Sequence, residues 1–266
     1  MLMMLGAFWL ALALAAALPA APVADPRLPA RAGDTLRVVL VVDDTVARQS
    51  LLRGARLGAE EASHTGALFG MAVTLRIESP ATLASTRRAT ASRVARSPVP
   101  SLYLVAGDAR SCSAVMLQGA RDGSPVFDAG CAPTDSTRGG NVYALVPATA
   151  ASASDDSTRL ELWHWTLERF GGEQLNERYR RRFSARMDSP AWTGWIAMKI
   201  ALDAALHAQG SSGAALLRQL ADPRAQYDGQ KGRPLRFAPG SRRLVQPLYR
   251  VAGRGDAEHV VAEVEP

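Results

Sequence analysis

The side chains that usually carry out acid–base chemistry are widely separated in this 266-residue chain. No G-x-S-x-G elbow, H-E-x-x-H helix, G-x-x-x-x-G-K-[ST] loop or strand-following G-x-G-x-x-G is present. The histidines lie far apart in sequence, so each is expected at a helix surface or in a turn: His64, His164, His207 and His259. The sequence therefore predicts a protein that is not an enzyme, with no metal site and no cofactor.

An acidic pair, Asp43 and Asp44, follows the apolar run Leu36–Val42. Paired acids after a first strand could hold Mg²⁺, as they do in bacterial receiver domains. A receiver also needs a phosphoacceptor aspartate ending its third strand and a lysine after its fifth. Asp108 lies two residues past the run SLYLVA, and no lysine follows in that region. The pattern favours a strand-end loop in which the acids cap the next helix.

Cys112 and Cys131 are the two cysteines of the chain. In an exported protein they could pair, and closing a loop of about 20 residues would contribute roughly 3 kcal/mol. Two free thiols are the alternative. With no histidine nearby, the pair does not suit zinc.

Positive charge comes almost entirely from arginine, because lysine occurs only at positions 199 and 231, and the net charge is +6. The densest cluster, Arg178–Arg186, coincides with an apolar helical stripe of Leu175, Tyr179 and Phe183. The stripe predicts a helix with a solvated basic face. No interleaving of aromatic and basic residues indicates base stacking, so we expect no nucleic-acid partner.

A second helix is predicted from Ala191 to Ala208, with Ser189 capping it and Pro190 in its first turn. Its apolar residues cover nearly all faces, which predicts burial. Trp163, Trp165, Trp192 and Trp195 could form an aromatic cage for a ligand. Their helical spacing favours core packing.

The first residues are typical of an export signal, because an apolar stretch runs from Leu5 to Leu18 and small residues follow around Ala17–Ala24. We assign residues 1–24 to this signal and expect a soluble periplasmic protein. No Lys or Arg precedes the apolar stretch, so an uncleaved anchor is the alternative.

Strand and helix patterns alternate through the next hundred residues. Leu52, Ala55, Ala59 and Ala62 predict a helix that ends at His64-Thr65-Gly66. Further strands are predicted at Ala72–Ile77, Ser101–Ala106 and Pro125–Asp128, and helices around Ala81–Ala95 and Ala114–Arg121. This order predicts an α/β fold with a parallel sheet flanked by helices, which binds ligands beyond the carboxyl ends of its strands.

Three segments carry a family resemblance. LLRGARLGAEEASHTGALFG is similar to a helix and turn of the type I periplasmic binding proteins, and GQKGRPLRFAPGSRRLVQP is similar to a late segment of one subgroup. The run RFGGEQLNERYRRRF, followed by the Trp192–Trp195 helix, fits the same subgroup. The chain thus resembles substrate-binding proteins of ABC transport systems associated with PQQ-dependent alcohol catabolism.

The resemblance has an internal gap. Between Ala150 and Arg159 only eight residues stand where the family has most of a second α/β lobe. We therefore expect one full lobe plus remnants of the second. The expected units are a first-lobe region at 33–150, a linker at 151–158, the remaining helices and strands at 159–252, and a tail at 253–266.

The resemblance also implies where a solute would bind. Family contacts fall in the loops after the third and fourth strands, here Asp108, Ser111, Ser113, Ala129, Gly130 and Thr134. Hydroxyls and N–H groups at a helix start suit an anionic carboxylate. Plain N-capping by Ser111 or Ser113 is the alternative.

The implied function is non-catalytic capture of a small polar solute and its delivery to an ABC permease in the inner membrane. The alternative is a one-lobe accessory protein that binds a periplasmic protein partner, such as a component of a PQQ-dependent dehydrogenase system. An exposed apolar surface would favour the second hypothesis.

Overall fold

The computed structural model describes residues 34–43, 45–83, 98–132, 140–147 and 158–265. The predicted signal segment 1–24, most of the predicted linker and most of the predicted helix Ala81–Ala95 lie outside these ranges. Up to residue 147 the elements are β1 (Thr35–Val42), α1 (Val46–Leu68), β2 (Ala72–Glu78), β3 (Leu102–Gly107), α2 (Ala109–Asp122), β4 (Val126–Cys131) and β5 (Val142–Ala144).

After residue 157 three further helices are followed by short strands. The elements are β6 (Thr158–Glu161), α3 (Gly172–Phe183), α4 (Ser189–His207), α5 (Gly213–Ala221), β7 (Tyr227–Asp228), β8 (Pro234–Phe237), β9 (Leu244–Val245), β10 (Leu248–Ala252) and β11 (His259–Val264).

The first five strands form one parallel sheet in the order β2-β1-β3-β4-β5. Strand β1 pairs on both sides, and its side chains from Val38 to Val42 are all buried. A continuous apolar run is what a strand covered on both faces requires. The predicted parallel α/β sheet is confirmed.

Two predicted helix boundaries are wrong. Helix α1 continues through Gly66 to Leu68, because the glycine is buried against the Met71 carbonyl and packing outweighs its low helix propensity. Helix α2 begins at Ala109 rather than near Ala114, because Asp108 caps it.

Helices α1 and α4 pack in close contact. A Cβ at Gly54 would lie 1.7 Å from the Ala191 carbonyl oxygen, and one at Gly194 would lie 2.2 Å from that of Leu51. Glycine at both positions lets the two backbones approach. Nearly all of α4 is buried, as its apolar faces predict.

The start of α4 differs from the prediction. Asp188, in an extended conformation, accepts a hydrogen bond from the Ala191 N–H at 2.9 Å and is the N-cap. The Ser189 hydroxyl oxygen instead accepts from the N–H groups of Leu162 and Trp163 at 3.0 and 3.2 Å. Ser189 thus ties the chain after β6 to α4.

The remaining strands form two small antiparallel sheets, β11-β10-β6 and β7-β8-β9. They join the parallel sheet at β5, where Ala144 bridges to Arg243 and the Gln246 amide donates to the Leu145 carbonyl at 2.7 Å. The C-terminal strands are therefore anchored to the end of the parallel sheet.

A single apolar cluster runs through both halves of the chain. It includes Leu40, Leu104 and Phe127 of the sheet together with Trp195 and Leu235. The regions predicted as 33–150 and 159–252 thus share one core. Within the described ranges, no helix combines the length and hydrophobicity needed to cross a membrane.

Candidate functional site

The carboxyl ends of the parallel strands meet at one edge of the sheet, which we call the carboxyl edge. It is formed by the residues at and just after the ends of β1, β3, β4 and β5. Helices α1 and α2 both begin there, since each follows a strand directly. In open parallel sheets ligands bind at this edge.

After β3, Asp108 is the N-cap of α2. Its carboxylate accepts the Ser111 N–H at 2.8 Å and the Ser111 hydroxyl at 3.0 Å. The backbone hydrogen bond from Ser111 is the main cause that lowers the pKa of Asp108, so this exposed carboxylate is charged. The alternative that Ser111 or Ser113 caps α2 is wrong, because Asp108 occupies the cap position.

The loop after β4 is organised by a residue that the sequence analysis did not single out. Asp128 is buried, and its Oδ1 accepts the N–H groups of Gly130 and Cys131 at 3.1 and 2.9 Å. Gly130 is exposed with φ of 129°, a backbone angle that favours glycine, and Ala129 is buried. Thr134 lies outside the described residues.

A disulfide joins these two loops. Cys112, in the first turns of α2, is bonded to Cys131 at the end of β4, and their Cα atoms are 6.0 Å apart. Gly107 pairs with Cys131 in the sheet, so the strands also meet at this point. The candidate ligand loops are thereby held together covalently.

Arg48 is a further charged group at the carboxyl edge that the sequence analysis missed. Its Nη1 donates to Asp43 Oδ2 at 2.7 Å and to the Ala106 carbonyl at 3.0 Å, which links β1, α1 and β3. The expected capping by Asp43 is wrong: the N-cap of α1 is Thr45, whose hydroxyl donates to Asp43 at 3.1 Å. Asp44 lies outside the described residues.

The tryptophan group forms core rather than a cage. Trp163 and Trp192 stack with ring centroids 6.0 Å apart, and both are fully buried, as is nearly all of Trp195. Trp165 is half-buried beneath the Arg186 guanidinium, 4.0 Å from its ring centroid. The core-packing prediction is confirmed for the three buried rings.

Lys231 lies inside this aromatic cluster, another group that the sequence analysis left unassigned. Its Nζ is 4.0 Å from the Trp192 ring centroid and donates to Gln246 Oε1 at 2.9 Å and the Pro247 carbonyl at 3.0 Å. Burial lowers the pKa of Lys231 well below 10.5. The residue joins α4 to the strands that follow β8.

Arginines of the basic cluster Arg178–Arg186 are paired with carboxylates. Arg178 pairs with Glu61 at 2.7 Å and Arg182 with Glu60 at 2.9 Å, both acids lying on α1. Arg186 pairs with Asp256 at 2.6 Å. Arg178 and Arg182 thus help to hold α3 against α1.

His164 begins a turn, which the Leu167 N–H closes by donating to its carbonyl at 3.1 Å, and its side chain is buried. His164 is 2% exposed, and its Nδ1 lies 2.8 Å from the Thr166 hydroxyl. Desolvation lowers the pKa of His164. His164 follows β6 and is not among the predicted ligand residues.

Clefts elsewhere on the surface are lined by other residues. One of about 530 Å³ lies between Phe170, Tyr249 and Val261, and a second of about 350 Å³ lies beside Phe170 and Arg233. None of the predicted ligand residues that the structure describes lines either cleft. Among the described residues, no group of three or more His, Cys, Asp or Glu side chains could hold a metal ion.

No protein-family model matches the chain, and no curated protein matches it. Solved structures do match. An ABC transporter substrate-binding protein from Sphaerobacter thermophilus superposes with a TM-score of 0.68 at 13% identity, covering 87% of this chain and 98% of that one.

Two further structures extend this similarity. The substrate-binding protein LivJ of Streptococcus pneumoniae, in complex with isoleucine, has a TM-score of 0.65 at 10% identity and covers 87% of this chain and 100% of its own. A solute-binding protein from Rhodopseudomonas palustris, in complex with 3,4-dihydroxybenzoic acid, has a TM-score of 0.61 at 12% identity and covers 87% and 98%. This chain has the type I periplasmic binding protein fold. Because the sequence identities are only 10–13%, these similarities establish the fold alone.

Proposed function

We propose that this protein is an exported solute-binding protein of an ABC-type uptake system, which captures a small solute at its carboxyl edge without catalysis. The observation that carries the proposal is the type I fold, shared with solved proteins whose described role is solute binding for ABC transporters. The expected ligand residues Asp108, Ser111, Ser113, Ala129 and Gly130 follow β3 or end β4 at that edge.

Rigid support for a binding site is present at the carboxyl edge. The disulfide Cys112–Cys131, the Asp128 hydrogen bonds and the Arg48 link each fix one part of the loops. Preorganised loops lose less entropy when a ligand binds. The same proposal includes export by residues 1–24, a periplasmic location and delivery to an inner-membrane permease.

Membership of a narrower subgroup and the shortened second lobe are proposals as well. Membership of the subgroup associated with PQQ-dependent alcohol catabolism is proposed from the sequence of the segment from Gly229 to Pro247. A shortened second lobe is supported by the ten residues between Pro147 and Thr158, and by the single parallel sheet among the described residues. The proposed units are 33–150, 151–158, 159–252 and 253–266.

A thermal-shift screen tests solute binding. The purified protein is heated with amino acids, aromatic acids, amines, short alcohols and polyols, and a ligand at a hundredfold excess over its Kd is expected to add about 2.7 kcal/mol of stability. The double variant Ser111→Ala/Ser113→Ala should lose the shift. Ser63→Ala, in the C-terminal half of α1 and away from the carboxyl edge, should keep it.

The absence of any shift from a cooperatively folded protein would reject solute capture. The competing hypothesis of a periplasmic protein partner would then be the one to test.

A further inference from the structure

The cleft of about 530 Å³ is formed by segments that lie after residue 157, and none of the described candidate ligand residues lines it. Its lining consists of the segment from Thr166 to Phe170, the segment from Val260 to Glu263 in β11, Gln230 and Tyr249. We call it the Phe170 cleft. Sites for small molecules typically have volumes of roughly 300–1,000 Å³, so this cleft has the size of a ligand site.

Phe170 is a large apolar side chain that the fold leaves in solvent, since it is 62% exposed. Its backbone, with φ of 56° and ψ of 27°, is left-handed, which a bulky residue adopts only at an energetic cost. The ring lies against Gly232, where an added Cβ would be 2.4 Å from a ring carbon of Phe170. An aromatic ring is thus held in place at the cleft while much of its surface stays uncovered.

Tyr249 and Gln230 bring uncharged polar groups to the cleft. Tyr249 is only 5% exposed, and its hydroxyl forms no hydrogen bond with a described residue. The side-chain amide of Gln230 also bonds to no described residue, and its backbone is left-handed with φ of 57°. Buried polar groups normally have partners, and strained backbone angles cluster at ligand-binding positions. Both observations point to a ligand.

The charged side chains of the Phe170 cleft are its exposed ones, Glu168, Arg169 and Glu263. The less exposed lining residues are all uncharged: Thr166, Leu167, Gln230, Tyr249 and Val260. Burying an ionised group costs more free energy than burying an amide or a hydroxyl that finds a partner. Glu263 also lies opposite Tyr249 in the β10–β11 pair, so a carboxylate beside Tyr249 would meet a like charge. The lining therefore suits an uncharged ligand.

We propose that the Phe170 cleft is a second binding site, which takes a small uncharged aromatic molecule carrying an amide or hydroxyl group. The ligand ring packs on Phe170 in an offset or edge-to-face contact. Its polar group forms hydrogen bonds with the Tyr249 hydroxyl, which can donate or accept, and with Gln230 Nε2, which donates. This site does not depend on solute capture at the carboxyl edge.

Calorimetric titration of the purified protein with benzamide tests the proposal. Benzamide combines an aromatic ring with an uncharged amide, and it is expected to bind with a Kd of about 1 mM or tighter. Benzoate, which replaces the amide with a charge, should bind about tenfold or more weakly. Cyclohexanecarboxamide, which keeps the amide but lacks the aromatic ring, should bind about threefold or more weakly.

Three variants locate the bound benzamide. Phe170→Ala should weaken binding about fivefold or more, because the ring contact is lost. Tyr249→Phe, which removes only the hydroxyl, should weaken it about threefold or more. The matched control is Leu117→Ala, since Leu117 on α2 is 59% exposed and lies outside the cleft, and its affinity should equal that of the wild type. Circular dichroism shows whether each variant keeps the wild-type fold.

Two results would overturn the second site. The first is no heat of binding at about 10 mM benzamide, tenfold above the expected Kd, or wild-type affinity in both Phe170→Ala and Tyr249→Phe. The second is loss of benzamide binding in Ser111→Ala/Ser113→Ala with wild-type affinity in Phe170→Ala. That result would place benzamide at the carboxyl edge, so it would support the proposed function while rejecting the Phe170 cleft.

Discussion

At the scale of single residues, buried and capping groups that sequence reasoning passed over organise the molecule. Lys231 is the clearest case, because its amine is enclosed by Trp192, Gln246 and Pro247. A neutral amine has two N–H donors, which match the two oxygen acceptors at 2.9 and 3.0 Å. A charged lysine would leave its third N–H with only an aromatic ring as partner, the Trp192 ring centroid lying 4.0 Å from Nζ. Burial of the amine lowers the pKa of Lys231.

The lowered pKa of Lys231 predicts a pH dependence of stability. Between its folded pKa and 10.5 the unfolded chain binds a proton that the folded chain has released, so the free energy of unfolding rises with pH. Relative to Lys231→Met, the wild type should gain up to about 1.4 kcal/mol per pH unit in this window. Urea unfolding at pH 7, 8 and 9 measures the difference. Parallel profiles for the two proteins would show that Lys231 stays protonated in the fold.

At the scale of elements, helix contacts depend on small residues and on partners distant in sequence. Helices α1 and α4 approach through Gly54 and Gly194, and Arg178 of α3 bonds to Glu61 of α1 at 2.7 Å. The other oxygen of Glu61 accepts from the Trp195 indole of α4 at 2.8 Å. One carboxylate thus joins three helices.

Substitution of Gly54 by alanine tests the close approach. The new Cβ would overlap the Ala191 carbonyl, so the helices must separate, at a cost of about 1–3 kcal/mol. This loss should exceed the roughly 1 kcal/mol that alanine gains from helix propensity. Chemical denaturation measures the net effect. The control is Gly210→Ala, whose Cβ would meet no atom closer than 3.8 Å and should change stability little.

At the scale of the whole molecule, the apolar cluster is continuous from the parallel sheet to the C-terminal helices and strands. The sequence boundary near residue 150 therefore does not divide the core. Trp163, Trp165, Trp192 and Trp195 all lie after that boundary, whereas all five strands of the parallel sheet lie before it.

This shared core predicts cooperative unfolding. In the protein without residues 1–24, which contain Trp9, tryptophan fluorescence reports on the second half of the chain. Far-ultraviolet circular dichroism reports on both halves. The two signals should give the same urea midpoint and the same slope. A fluorescence transition that precedes or follows the loss of secondary structure would indicate two independently stable units instead.

Much of the architecture follows from local pattern. Residues close together in sequence were enough to predict three features. These are the buried strand β1, the alternation of strands and helices, and the buried helix α4. Helix ends were less predictable. Both Asp108 and Asp188 precede serines that could cap, and which side chain does so depends on the backbone conformation at that position.

The sequence by itself determined the parallel α/β class, the burial of α4 and the candidate loops after β3 and β4, because each depends on periodicity or on chain order. Only the tertiary structure decided that Asp128 binds the N–H groups of its own loop, that Arg48 bridges β1 and β3, and that Lys231 enters an aromatic core. The Arg48 and Lys231 contacts join segments that are distant in sequence, with separations such as the 58 residues between Arg48 and Ala106. Local pattern carries no record of such distances. The Asp128 contacts are local, and they depend on the backbone conformation at the end of β4.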